Sequence, residues 1–308
     1  MSPSPRLFCL DTVMIDIVMR ISALPESGSD ALASERLLTT GGGYNAMCAA
    51  ARQDLPCVYA GRLGTGPFSS LASDSLDGDD IAHPIEPNKD IDAGICVVLV
   101  DDAGERTFVT SPGAEGSLRV SDLERLDVVA VDYVLVSGYN VMYADLAEMV
   151  LEWLARLPEG VVVGFDPSNR VMDIPKGNLD AMLARADWLM CNETEASLLT
   201  GRDTSEDAAS TLASMTGRIG VVVRAGANGC TLQLRGGAQR HIRAFKTTVV
   251  DTNGAGDTHN GVFLAELALG ADPADAALRA NAAAAIAISE LGPATCPSRE
   301  TITRWMGR

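Results

Sequence analysis

The apolar positions of this chain gather into short unbroken runs. "DYVLVSGYN" (132–140), "GVVVGFDPS" (160–168), "ADWLMCNE" (186–193) and "IGVVVRAG" (219–226) each read as a strand buried on both faces. Helical spacing separates them. "YADLAEMVLEWLARLP" (143–158) sets leucines and a methionine on one face, and "TEASLLTG" stops at Gly201, a C-cap candidate. Strand and helix in alternation predict a parallel sheet covered by helices on both sides, with ligands at the carboxyl ends of its strands. Two regions break the rhythm. "AGICVVLVDDAGERTFVTSPG" (93–113) holds two extended runs joined at Asp102, Ala103 and Gly104, a hairpin signal, and Ile15 to Thr40 carries too little periodic apolar content for a core helix. Together they predict a small separate sheet with a cleft between it and the main layer. The alanine-rich stretch 271–290 reads as a helix in which Asp275 and Arg279 are spaced to pair, with Asn281 as a polar residue ahead of a run of small ones.

Composition narrows the partners. The 308 residues can build one large α/β domain, and 47% hydrophobic with 21% charged is ordinary for a soluble globular chain. A net charge of −17 without a Lys/Arg cluster argues against nucleic acid or an anionic membrane as partner. A small anion would then be held by backbone dipoles, a few arginines or a metal. Cys9, Cys48, Cys57, Cys96, Cys191, Cys230 and Cys296 are odd in number and never in a CxxC arrangement, so neither a disulfide framework nor a zinc site is signalled and the cytoplasm is the expected location. Asp11 and Asp16 interrupt the N-terminal apolar run, which is no signal peptide, and no stretch reaches the roughly 18 apolar residues of a membrane helix. His83, His241 and His259 are scattered and support neither a metal site nor a Ser-His-Asp constellation.

Candidate chemistry concentrates in "VVDTNGAGDTHNG" (249–261). From Thr258 to Leu269 the only formally charged residue is Glu266, so the helix after the motif should be buried and its first amides must find partners other than bulk water. Gly254, Ala255 and Gly256 leave those amides open to an oxygen-rich anion. A carboxylate at a helix start is commonly a cap. Asp257 beside such a cradle also has the placement of a general base for phosphoryl transfer to a hydroxyl. The motif is neither a Walker loop, since no Gly-Lys-Ser/Thr follows, nor the GxGxxG dinucleotide fingerprint.

"DTNGAGD" followed by an apolar helix resembles the second signature of the PfkB (ribokinase-like) family of carbohydrate and nucleoside kinases. Further elements stand in the family's order over nearly the whole chain: the early strand ending in Asp16, "GGGYNAMCAAAR" (41–52), "DDAGERTF" (101–108), "FDPSNR" (165–170), "CNETEASLLTG" (191–201), "RAGANGC" (224–230) and "LGPATCPS" (291–298). The resemblance implies a single ribokinase-like domain over 1–308, a three-layer α/β/α core with a mainly parallel central sheet and a small β-sheet lid formed by about 13–40 and 91–112. It implies Asp257 as the base, Gly254, Ala255 and Gly256 as the anion hole, and Asp16, Gly42, Gly43 and Asn45 as substrate contacts, with Arg106 reaching across the cleft and Asn140 as a further candidate. On the nucleotide side it implies Asn192 and Glu195, the glutamate ordering the water shell of Mg²⁺, then Arg224, Gly226 and Gly229 at the phosphates and ribose, and Asn281 lining the adenine pocket. Asp251 resembles the family's first acid, which often lies by a monovalent cation such as K⁺. Cys296 stands where a small hydroxyl residue is common, which leaves that cation site open, as is the role of His259.

The implied activity is ATP-dependent transfer of the γ-phosphoryl group to a hydroxymethyl group of a sugar. A nucleoside kinase is the first alternative, Tyr44, Phe108 and Tyr139 being the aromatic residues available to a base. A sugar-phosphate kinase comes next, Arg20, Arg36 and Arg106 being the arginines of the lid segments, and a ligand-binding sensor without turnover comes last. Exposed lid strands are an edge hazard that pairing of two lids would bury, so a homodimer through the lid is expected.

Overall fold

A computed structural model describes residues 3–216 and 218–307. Met1 and Ser2 of the N-terminal stretch, and Arg308 at the end of the one-domain span, lie outside the described residues. Among those described, twelve strands make two sheets: β1 (Leu7–Cys9), β2 (Val13–Arg20), β3 (Glu35–Gly42), β4 (Cys57–Tyr59), β5 (Ile95–Val100), β6 (Arg106–Ser111), β7 (Tyr133–Ser137), β8 (Val162–Asp166), β9 (Trp188–Asn192), β10 (Gly220–Arg224), β11 (Cys230–Leu234) and β12 (Gln239–Ile242). The large sheet runs β12-β11-β10-β9-β8-β7-β1-β4. From β4 to β10 all neighbours are parallel, and β11 and β12 continue antiparallel.

The unbroken apolar runs become β7 to β10 because both faces of the sheet are covered. One apolar layer packs under the helices Gly43–Ala51, Pro67–Gly78, Ala255–Ala268, Pro273–Ala287 and Arg299–Met306. The other packs under Ala144–Arg156, Lys176–Arg185 and Ser205–Met215. This is a three-layer α/β/α architecture with a mainly parallel central sheet and a small accessory sheet. Among the described residues no helix is long and apolar enough to cross a membrane.

Local expectations need two corrections. On the Ala144–Arg156 helix the buried stripe is Ala147, Val150, Trp153 and Leu154, with Leu146, Met149 and Leu151 at its border. Arg279 does not pair with Asp275. Its Nε donates to Glu266 at 2.9 Å, and Arg299 stands 2.9 Å from the same carboxylate. Glu266 is buried, and a buried carboxylate demands its counter-charges far more strongly than an exposed aspartate one helical turn away.

The accessory sheet, ordered β3-β2-β5-β6, joins β2 to β3 and β5 to β6 antiparallel and β2 to β5 parallel. Its second hairpin turns through Asp101–Glu105, closed by Gly104 N donating to Asp101 O at 2.9 Å. Alternate residues of β5 are buried, and Cys96, Val98 and Val100 cluster with Met14 and Val18. The helices Gly43–Ala51 and Ala255–Ala268 approach each other closely. A Cβ on Gly261 would overlap the carbonyl of Ala46, so a glycine there lets the two helix starts meet beneath the accessory sheet.

Candidate active site

Strand addition reverses direction at β1, which lies between β4 and β7. A crevice outside the carboxyl ends of the strands is expected at such a switch point, and a cleft of about 1160 Å³ opens there. Asp166, Asn192 and Arg224, the last residues of β8, β9 and β10, line it from the large sheet. Asp16 of β2 and Phe108 of β6 line it from the accessory sheet.

Asp257 is the third residue of the Ala255–Ala268 helix, whose N-cap is Gly254 in the left-handed conformation (φ 71°). Its Oδ2 accepts a hydrogen bond from Asn45 Nδ2 at 3.1 Å. Burial is the main cause that lifts its carboxyl to about 6, the Asn45 bond opposing this and the charge of Asp166 adding to it. Ala255 N makes a long bond of 3.3 Å to Thr252 O, so one amide of the proposed cradle is partly engaged. Gly256 faces the Arg224 guanidinium, which a Cβ would approach to 3.3 Å.

Asp16 is buried, and its carboxyl is pushed to about 6 by burial, with a hydrogen bond from Asn253 opposing. Gly42 lines the cleft, and the glycines before Asn45 also meet the chain's own packing. Gly42 adopts φ 64°, and a Cβ there would overlap the carbonyl of Thr12, which accepts Gly43 N at 2.7 Å. Gly43 packs on Asp11. Asn45 is buried and its Oδ1 has no partner. Arg106 reaches across the cleft, its guanidinium pairing with Asp251 and donating to Thr252 Oγ1 at 2.9 Å. Asn140 sits on the turn of helix Tyr139–Met142, past the strand end. Its Nδ2 donates to Leu10 O at 2.8 Å and its Oδ1 accepts Ser137 N at 3.0 Å, so it clamps the ends of β1 and β7 together.

Asn192 and Glu195 form a reciprocal cap at the start of the Glu193–Thr200 helix. Asn192 Oδ1 accepts Glu195 N at 2.8 Å, and the Glu195 carboxylate accepts Asn192 N and Nδ2, each at 2.8 Å. Glu195 is lifted to about 7, first by burial and then by Asp166, with Arg224 opposing. Arg224 Nη2 stands 3.1 Å from Asp166 and 3.9 Å from Glu195, and Nη1 donates to Asn260. Gly226 and Gly229 occupy the β10–β11 turn and Asn281 lies beside it, all three apart from the residues lining the cleft. Asn281 is buried, donating to Ile242 O at 3.2 Å and Arg243 O at 3.1 Å.

For a monovalent cation the donor set fits poorly. Asp251 already accepts Asn253 N at 2.8 Å and Gly292 N at 3.1 Å as well as the Arg106 guanidinium, and a fixed positive group repels a bound cation. Cys296 is buried against Ala49. His259 packs on Phe263 outside the residues lining the cleft, and burial and then the charge of Arg224 lower its pKa to about 3 with Asn281 opposing, so its ring is neutral. Tyr44 turns away, its hydroxyl donating to Asp79 at 2.6 Å.

Asp11, Asp166 and Asn260 escaped the sequence reading as site residues. Each lines the cleft, and Asp11 follows β1 by two residues. The signal was present in "FCLD" and "GFD", acids closing buried strands. Arg119 and Arg170, outside the lid segments, also line the cleft.

The pfkB family carbohydrate kinase model matches residues 4–300. YegV of Escherichia coli strain K12, described as an uncharacterized sugar kinase, is 31% identical over 94% of this chain and 90% of its own. An ATP-dependent ribose-1-phosphate kinase of Halopiger xanaduensis is 27% identical over 98% of each chain. The structure of Arabidopsis thaliana ribokinase complexed with ribose and ATP superposes with a TM-score of 0.81 at 25% identity, covering 99% of this chain and 100% of that one.

Proposed function

Because the chain belongs to the pfkB family of carbohydrate kinases and so performs ATP-dependent phosphoryl transfer to a small molecule, we propose that its acceptor is a hydroxymethyl group of a sugar and that Asp257 is the general base. The observation that carries this reading is the placement of Asp257. It stands in the first turn of a buried helix, fixed by Asn45, in the same cleft as Asp16.

The steps follow from that placement. Asp16 and Asn45 hold acceptor hydroxyls. Asp257 takes the proton of the hydroxymethyl group as its oxygen attacks the γ-phosphorus. The new P–O bond forms while the bond to the β-phosphate bridging oxygen breaks, and ADP leaves with the electron pair. The amides at Gly254 to Gly256 and the guanidinium of Arg224 stabilise the charge that moves onto the transferring group. No cluster of three or more His, Cys, Asp or Glu among the described residues could hold an ion alone, so Mg²⁺ would take its oxygen from the phosphates and from water that Glu195 would order, and when bound it would neutralise phosphate charge. Arg106 ties the accessory sheet to the Asp251 loop, which keeps water, the competing acceptor, from the cleft.

A sugar phosphate is the second reading. Arg119 and Arg170 add positive charge to the cleft that the lid segments alone lack, although Arg170 is already paired with Asp173 at 2.7 Å. ADP release with Mg-ATP, measured against pentoses, hexoses, their phosphates and nucleosides, decides between them. The largest kcat/KM should belong to a free sugar, a preference for a phosphate ester reverses the order, and silence with every compound sinks both. Asp257→Asn should lower kcat by roughly 10²–10⁴-fold while leaving ATP binding within about twofold. Undiminished turnover by that variant would remove Asp257 from the role of base.

A further inference from the structure

Asp11 is an acid of the cleft that the mechanism above leaves unused. It follows β1 at the switch point, where the crevice between β1 and β7 opens. The start of the Gly43–Ala51 helix holds it and the base on adjoining positions. Gly43 packs so closely on Asp11 that a Cβ would come within 2.9 Å of the Asp11 Cβ, and two residues on Asn45 holds Asp257. Both carboxyls line the same cavity, together with Ser137 and Tyr139. Asp11 Oδ1 accepts Thr12 N at 2.8 Å, and the Ser137 side chain on the cleft wall is its other partner.

We propose that Asp11 is a further acceptor-binding residue, which in its protonated form donates a hydrogen bond to an oxygen of a neutral polyhydroxylated acceptor, beside the hydroxyl that Asp257 deprotonates. The proposal rests on the reading of Asp257 as base. The titratable groups facing Asp11 are Asp257 from the Ala255–Ala268 helix, Asp166 from β8, Cys9 from β1, Tyr59 from β4 and Tyr139 from the helix after β7. Every one is neutral or negative, so ionising Asp11 adds like charge. Burial and then the charge of Asp257 push Asp11 to about 7, with hydrogen bonds from Ser137 and from Thr12 N opposing. Asn45 donates to Asp257 and favours its ionised form, and that charge in the same cavity then disfavours a second one on Asp11. Two carboxyls in one cavity then take opposite parts, acceptor of the substrate proton and donor to a neighbouring oxygen. The proton of the attacked hydroxyl goes to Asp257, and the proton of Asp11 stays in place.

The test has one arm that needs turnover and one that does not. With the best sugar of the panel, wild-type kcat/KM should fall above about pH 7 as Asp11 ionises. Asp11→Leu should lose about tenfold in kcat/KM at neutral pH, mainly through KM. Asp11→Asn, which keeps a neutral donor, should recover part of that loss and show no alkaline fall. A fall that persists unchanged in Asp11→Asn overturns the proposal while leaving the kinase reading intact. In the free protein labelled with [γ-¹³C]aspartate, one carboxyl should titrate near 7, vanish in Asp11→Asn and move to lower pH in Asp257→Asn. If no such resonance exists, or if Asp257→Asn leaves it unmoved, the proposal fails whether or not any sugar is phosphorylated.

Discussion

At the scale of single residues, the proposed base Asp257 takes its properties from other elements, Asn45 holding its carboxylate and Asp166 setting a like charge against it. Asp257 and the small residues before it are adjacent in sequence, so helix-start chemistry alone singles them out. Asp11, Asp166 and Asn260 belong to elements far apart in the chain, and only the order of strands brings them to one crevice. Gly42 lines the cleft and also has a packing reason to be glycine. Gly42 has no Cβ because Thr12 O lies where one would go, a reason invisible without the fold. Gly42→Ala should therefore cost stability, roughly 1–3 kcal/mol from strain at φ 64° together with the overlap, read as a fall in the urea midpoint. The pH dependence of the base follows from its environment. Asp257 must be ionised to act, and its carboxyl is raised to about 6, so kcat/KM should rise with pH through about 6. Asn45 stabilises the ionised form. Asn45→Ala removes that support, and the acid limb of the kcat/KM profile should move to higher pH; a limb that stays in place would detach Asn45 from the base.

Elements were legible where burial left only one reading. The strands β7 to β10 are apolar because helices cover both faces, and no amphipathic signal competes. The hairpin β11–β12 was missed since "QRHI" carries three exposed residues on a polar edge. The reciprocal cap of Asn192 and Glu195 shows why one residue pair can hold two meanings. The spacing N-x-x-E is what a capping box requires, and it is also what presents Glu195 to the cleft. Asn192→Ala should lower stability by about 1 kcal/mol through the lost cap. Asn192 donates to Glu195 through both its backbone and its side chain, and the backbone bond favours the ionised carboxylate. Loss of the side-chain donor should therefore also weaken Mg-ATP binding, measured as a higher KM for ATP at neutral pH. Unchanged stability would mean the cap is redundant.

At the scale of the molecule, the accessory sheet presents two unlike faces. The face toward the cleft carries Asp16, Cys96, Arg106 and Phe108. On the other, the register sets Leu38 beside Ile17, Ile17 beside Val97 and Val97 beside Val109, an apolar row across all four strands. Leu38 is 43% and Val109 61% exposed. Strands β3 and β6 are edges with unpaired backbone groups. An apolar sheet face bounded by open edges is unstable against pairing, and a second copy offers the same row in return, as a two-fold interface requires. We therefore expect a homodimer built on this face. Sedimentation equilibrium at micromolar protein should give twice the chain mass of 32.3 kDa. Introducing Leu38→Lys and Val109→Lys together should return the monomer with unchanged far-UV circular dichroism, because neither side chain contributes to the buried core. Since the cleft face is the reverse of the same sheet, the monomer should also hold Arg106 less firmly against Asp251, and its KM for the sugar should rise. A monomeric wild type, or a double-lysine variant that stays dimeric, would place the contact elsewhere.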